Sequence, residues 1–200
     1  MTRTVAAFDF DGTLTRRDTL LQFLASVVGW PRVAAALGVH ARRLVRDRDV
    51  AKERLLVHLL AGRPEVELRR AGHAYAQTIR IEPQMRERMA WHRAQGHELV
   101  IVSASLDLYL DEVARSLGVD HTLCTTLEVD AEGRCTGRLL GGNCRGPEKA
   151  KRLRTYLGDA PDDDLVLWAY GDSRGDHEML AMADHPVRVR RGRHAIATGA

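Results

Sequence analysis

Cysteine is scarce in this chain of 200 residues: Cys124, Cys135 and Cys144 are the only three. An odd number with no C-x-x-C spacing argues against a disulfide framework and fits a reducing cytoplasm. Charge of one sign is also missing, because 30 basic and 27 acidic residues are interspersed and leave a net +3. A balance that even gives no ground for a nucleic-acid partner. Nor is there an unbroken apolar run: the longest stretch, Leu20 to Val39, is interrupted by Gln22, Gly29-Trp30-Pro31 and Arg32, which fits two amphipathic helices better than a membrane span. No charged-then-apolar leader is read before Asp9, so a cytoplasmic protein is expected. Internal repeats, low-complexity segments and paired histidine ligand spacings are absent too. What remains is 44% hydrophobic and 28% charged, the make-up of a soluble domain large enough for one core with a smaller insert.

Two patterns divide the chain. Thr4 to Phe8 is a short apolar run that reads as a buried strand. Residues 18 to 80 then read as helices only. Asp18 is placed to cap the first, with Leu20, Leu21, Phe23, Leu24, Val27 and Val28 at helical spacing. Pro31 suits the first turn of a second, with Val33, Leu37, Leu44 and Val45 on one face, and Asp49 opens a third with Leu55, Leu56, Leu59 and Leu60. Pro64 begins a fourth carrying Val66, Ala71, Tyr75 and Ile79. From Pro83 the pattern alternates: a helix to Gln95, a strand Glu98 to Val102 ending at Ser103-Ala104-Ser105, and a helix through Leu106, Leu110, Val113 and Leu117. A hairpin follows, Thr122 to Val129 and Arg134 to Leu139, then a helix from Pro147, a strand Leu165 to Tyr170, a helix His177 to Ala183 and a strand Pro186 to Val189. The expected fold is α/β: a doubly wound, Rossmann-like parallel sheet formed by residues 1–15 and 81–200, with residues 16–80 inserted as a helical cap and the hairpin as a flap.

The chemistry starts at Ala7-Phe8-Asp9-Phe10-Asp11-Gly12-Thr13. Residues i and i+2 of an extended segment project to one side, so Asp9 and Asp11 are held close, and both stay ionised only with a cation between them or a proton on one. A solvated turn explains Asp11-Gly12 but leaves Asp9 unexplained. Ligands of doubly wound sheets bind at the carboxyl ends of the strands, where Asp9 and Asp11, Ser103, and Asp172 and Asp176 all fall. If those strands are neighbours, Asp9, Asp11, Asp172 and Asp176 make a hard-oxygen cage suited to Mg²⁺. Ser103 and Lys149, in the first turn after Pro147, would face an anion.

Asp9-Phe10-Asp11-Gly12-Thr13, Ser103, Lys149 and Gly171-Asp172-x-x-x-Asp176, in that order, resemble the four motifs of the haloacid dehalogenase superfamily of phosphatases, and most closely its phosphoserine-phosphatase-like branch. The resemblance implies that Asp9 is the nucleophile that forms an aspartyl-phosphate and Asp11 the general acid and base. It also implies Mg²⁺ held by Asp9, the backbone carbonyl of Asp11 and Asp172 with help from Asp176, and phosphate bound by Gly12, Thr13, Ser103, Ala104 and Lys149. Asp18 and Arg54 match cap residues that contact the substrate. Two departures stand out: Ser103-Ala104-Ser105 replaces the usual Ser-Gly-Gly, and Gly175 stands before Asp176 where that branch has Asn.

The expectation is a Mg²⁺-dependent phosphomonoesterase acting on a small phosphorylated metabolite. Phosphotransfer to another alcohol, hydrolysis of a lipid headgroup phosphate at a membrane docked through Leu20 to Val39, and non-catalytic phosphate binding are the alternatives. The basic run Arg42, Arg43, Arg46, Arg48, Lys52 and Arg54 is read as a solvated helix face, the tail Arg188 to Arg193 as a solvated end, and Cys144 as a packing residue.

Overall fold

The computed structural model describes residues 2–44, 47–158 and 164–189. Six strands, β1 (Arg3–Phe8), β2 (Glu98–Leu106), β3 (His121–Val129), β4 (Cys135–Leu140), β5 (Leu165–Gly171) and β6 (His185–Arg188), form one sheet in the order β4-β3-β2-β1-β5-β6. All neighbours are parallel except β4, which returns antiparallel to β3 as the expected hairpin. The strands carrying the motifs are therefore adjacent: β1 lies between β2 and β5.

Alternation along the central strands sends residues to two apolar clusters. Ala6, Phe8, Leu99 and Ile101 join one face, with Met85 and Met89 of α5 (Pro83–Ala94) and Leu110 and Val113 of α6 (Asp107–Leu117). Val5, Ala7, Val100 and Val102 join the other, with Leu153 and Leu157 of α7 (Pro147–Leu157) and Met179 and Leu180 of α8 (His177–Ala181). Helices thus cover both faces, as a sheet buried on both sides requires.

Between β1 and α5 the described chain holds only helices: α1 (Leu20–Val28), α2 (Trp30–Leu44), α3 (Arg48–Leu60) and α4 (Glu65–Ala76). Phe23, Leu24, Val33, Leu55, Leu56 and Leu68 of these helices belong to the same apolar cluster as Phe8 and Leu106. The far end of the helical segment is tied to the hairpin through main-chain bonds. Gly62 N–H donates to the Cys135 carbonyl (2.8 Å), Cys135 N–H to that of Arg63 (2.9 Å) and Glu65 N–H to that of Gly133 (2.9 Å). Gly137 of β4 lies so close to α3 that a Cβ there would stand 2.4 Å from the Val57 Cα.

Several local expectations change. The third helix is capped by Asp47, whose side chain accepts from Asp49 and Val50 N–H, so the cap stands two residues before Asp49. Val66 faces solvent, and α4 buries Leu68, Gly72, Tyr75 and Ala76 instead. β2 does not stop at Ser103; it runs to Leu106 through a break in register against β3 between Val102 and Leu106. Val45, Arg46 and the tail from residue 190 lie outside the described residues, as do the side chains of Arg42, Arg43 and Leu44.

Candidate active site

The carboxyl ends of β1, β2 and β5 open into a cavity of about 460 Å³ roofed by α1, α2 and α3. Its floor holds Asp9, Asp11, Ser103, Ala104, Lys149 and Asp176, and its roof Asp18, Leu20, Leu21, Leu37, Arg48, Asp49, Lys52 and Leu55. That volume suits a small metabolite, with a polar end where the strands stop and a roof opposite that mixes leucines with charged side chains.

Asp9 follows the last residue of β1 and is buried. Its Oδ2 accepts from Thr13 Oγ1 (2.9 Å), and its Oδ1 accepts from Lys149 Nζ (2.5 Å). The same ammonium donates to Asp176 Oδ1 (2.5 Å). Lys149 is delivered by the first turn of α7, after Pro147, and is fully enclosed. Asp176 is fixed in turn by a reciprocal cap: Ser173 N–H and Oγ both donate to Asp176 Oδ2 (2.9 and 2.8 Å). Gly171 permits this packing, since a Cβ there would stand 2.5 Å from the Asp176 Cβ. One ligand oxygen from each of Asp9, Asp172 and Asp176 lies within 4.8 Å of the others. Carboxylate oxygens gathered in this way are the donor set that a hard divalent cation fits.

Asp11 is turned another way. Its Oδ1 accepts from Thr19 N–H (2.9 Å) and Thr19 Oγ1 (2.8 Å), and its Oδ2 from Ser105 Oγ (2.7 Å). The side chain stays outside the three-carboxylate cluster, which corrects a metal role for the Asp11 carboxylate and leaves its backbone carbonyl as the group the resemblance assigns to metal. Burial pushes Asp11 up to about 6, helped by Asp18 and opposed by the hydrogen bonds from Ser105 and Thr19. Burial likewise pushes Asp9 up to about 7, against the Lys149 ammonium. Lys149 alone therefore does not set the two carboxyls apart with the proton on Asp11; a cation beside Asp9 is needed for that. Burial also acts to raise Asp176, but Lys149 and Ser173 hold it below the ordinary carboxylate value.

The remaining candidates divide. Ser103 and Ala104 line the cavity at the irregular part of β2, and Asp18 lines its entrance while accepting from Leu20 N–H (3.0 Å), one residue before the capping position of α1. Thr13 bonds Asp9 and does not line the cavity, and Gly12 closes the turn through its N–H to the Thr15 carbonyl (2.9 Å). Arg54 is exposed and outside the cavity. Its place is taken by Lys52, whose Nζ donates to the Ala104 carbonyl (2.5 Å) and to Asn143 Oδ1 (2.6 Å), while Asn143 Nδ2 donates to Asp49 Oδ1 (2.7 Å). Burial pushes Lys52 down to about 8, opposed by Asp11, Asp49 and Asp18. The signal was available, because Arg48, Lys52 and Leu55 recur at i, i+4 and i+7 on one helical face and Arg54 does not. Lys52 thus faces the cavity and is only partly exposed, which corrects its reading as part of a solvated face, whereas Arg48 borders the cavity and is exposed, as read.

This cavity belongs to a hydrolase. The family model described as haloacid dehalogenase-like hydrolase matches residues 6–181, and the chain belongs to that family. Within it the chain is a phosphatase. Protein CicA of Caulobacter vibrioides is 38% identical over 201 residues, covering 96% of this chain and 88% of its own. A phosphoserine phosphatase of Albidiferax ferrireducens is 31% identical over 186 residues, covering 88% and 74%. Among solved structures, a protein of unknown function from Bordetella pertussis superposes with a TM-score of 0.77 at 26% identity, over 90% of this chain and 87% of that one.

Proposed function

We propose that this enzyme is a Mg²⁺-dependent phosphomonoester hydrolase that works through an aspartyl-phosphate on Asp9. The observation that carries the reading is the buried Lys149 ammonium bonded to both Asp9 and Asp176, with Asp172 beside them and Asp11 two residues on. Asp9, Asp172 and Asp176 would hold the cation, which would supply positive charge to offset repulsion between the carboxylate and an anionic phosphate. An Asp9 oxygen attacks phosphorus; the bond to the leaving oxygen breaks, and Asp11 gives that oxygen a proton. Asp11 then takes a proton from water as the water attacks phosphorus, which restores Asp9. Lys149 and Ser103 hold the phosphoryl oxygens as charge builds on them.

Residues 16–80 act as the cap over a core of residues 1–15 and 81–200. The substrate is a small phosphorylated metabolite, and phosphoserine is the first to try. Asp18 and Asp49 suit an amine, and Arg48 and Lys52 an acid group. Of the stretch Leu20 to Val39, Leu20, Leu21 and Leu37 look into the cavity and Phe23, Leu24, Val33 and Ala36 are buried, while Trp30 and Val39 are exposed and keep the lipid-headgroup alternative as the second reading. No helix of the described residues is long and apolar enough to cross a membrane. All three cysteines are free and buried, in keeping with a reducing cytoplasm.

Phosphate release from phosphoserine, sugar phosphates and a lipid headgroup phosphate, with and without Mg²⁺, tests this for wild type and Asp9→Asn. Metal-dependent release that Asp9→Asn abolishes is the expected result. Release that survives Asp9→Asn overturns the nucleophile.

A further inference from the structure

Neither Thr19 nor Ser105 lines the cavity, yet between them they make all three of the hydrogen bonds seen to the Asp11 carboxyl. Thr19 stands at the entry to α1, and behind it lie two phenols. Tyr75 of α4 donates to the Thr19 carbonyl (2.9 Å), and the Tyr109 hydroxyl of α6 meets Thr19 Oγ1 at 3.0 Å. Burial keeps both phenols protonated. The protons in this cluster can be assigned one by one. Thr19 Oγ1 has one proton and gives it to Asp11 Oδ1, so Tyr109 is the donor to Thr19. Ser105 gives its proton to Asp11 Oδ2. Ser105 Oγ also stands 3.4 Å from Thr19 Oγ1, so the two hydroxyls that hold the carboxyl lie against each other.

We infer that Thr19 and Ser105, backed by Tyr109 and Tyr75, are positioning residues that hold the Asp11 carboxyl in the orientation from which it serves the leaving group. The inference rests on the phosphatase reading above. In that step the phosphorus–oxygen bonding pair departs with the leaving oxygen, which takes the Asp11 proton as the Asp9–phosphorus bond forms. Thr19 and Tyr75 come from the first and last of the four inserted helices, and Ser105 and Tyr109 from β2 and α6. Proton delivery is thereby tied to the seating of the helical insert on the sheet.

Phenyl phosphate and p-nitrophenyl phosphate test this, because they are close in shape but only the first needs much help in leaving. The quantity read is kcat/KM, which ends at departure of the leaving group, before the hydrolysis common to both esters. Thr19→Val and Ser105→Ala should each lower the phenyl to p-nitrophenyl ratio about tenfold, the modest end of what general acids contribute. Thr19→Ser should restore it, and Asp11→Asn should lower it at least as far. An unchanged ratio in both variants overturns the inference, as does a Thr19→Ser ratio no better than that of Thr19→Val. If Thr19→Val fails to fold, Ser105→Ala decides alone. Cleavage of p-nitrophenyl phosphate that survives Asp9→Asn, or wild type that cleaves neither these esters nor any of the phosphomonoesters named above, overturns the aspartyl-phosphate reading and the inference with it.

Discussion

Asp9 and Asp11 are two residues apart, and their surroundings share almost nothing. Asp9 sits among charges: a buried ammonium that arrives from 140 residues away, with Asp172 and Asp176 beside it. Asp11 sits among neutral donors, a backbone N–H and hydroxyls of Thr19 and Ser105, the latter from 94 residues away. A fixed ammonium suits a group that must be anionic to attack: Lys149 favours the ionised form of Asp9, while burial and Asp176 oppose it. Neutral donors suit a group that must gain and lose a proton within one cycle, because they orient it without pinning its charge. The strand end supplies two identical side chains, and the partners from distant elements give them different tasks.

The largest effect should come from removing the charge on the Asp9 side. Lys149→Met leaves Asp9 and Asp176 enclosed without their shared cation, so kcat/KM should fall by about 10³ and the melting temperature should drop as well. A variant within tenfold of wild type would make the two surroundings alike in importance. On the other side, Asp11→Asn should cost about 10²-fold or more for esters with poor leaving groups, with little change in melting temperature. Lys52→Ala should act more weakly and chiefly on KM. Because burial holds Lys52 near 8, it loses its proton as the pH rises through that value, so KM for an anionic substrate should climb above pH 8 in wild type and stay flat in Lys52→Ala. The same depression, from 10.5 to about 8, means that the unfolded chain carries the extra proton between those values. This group's contribution to stability should therefore rise with pH across that window, as urea midpoints of wild type and Lys52→Ala would show. Smallest at the active site should be Gly137→Ala: its positive φ of 80° and the nearby Val57 backbone forbid a Cβ, so stability should fall by about 1–3 kcal/mol with kcat little changed.

Much of this was legible because it depends on short-range rules. Apolar runs of five or six residues bounded by Gly and Asp marked β1 and β5, and helical spacing marked α1 and α3. Three of the four motifs were read at strand ends and the fourth in the first turn of α7, and the β2-β1-β5 order brought the three strands together. What stayed hidden depends on packing between distant segments. The extension of β2 through Ser105 follows from its broken register against β3, which no local pattern announces. Val66 looked like a core position by spacing, yet α4 is rotated to bury Gly72 and Tyr75. The choice of Lys52 over Arg54 needed the face of α3 to be known, and the turning of Asp11 away from Asp172 needed Thr19 and Ser105 in place.

The bonds from Gly62, Cys135 and Glu65 join the turn between α3 and α4 to the hairpin through main-chain atoms alone. Such bonds do not depend on which side chains flank them. The insert is thus hung from the sheet at both its chain crossings and at its far end, and of the residues that look into the cavity Asp49, Lys52 and Leu55 add to that attachment. Evolution could rewrite Leu20, Leu21 and Leu37 at the cavity wall while the main-chain bonds at the far end stay as they are.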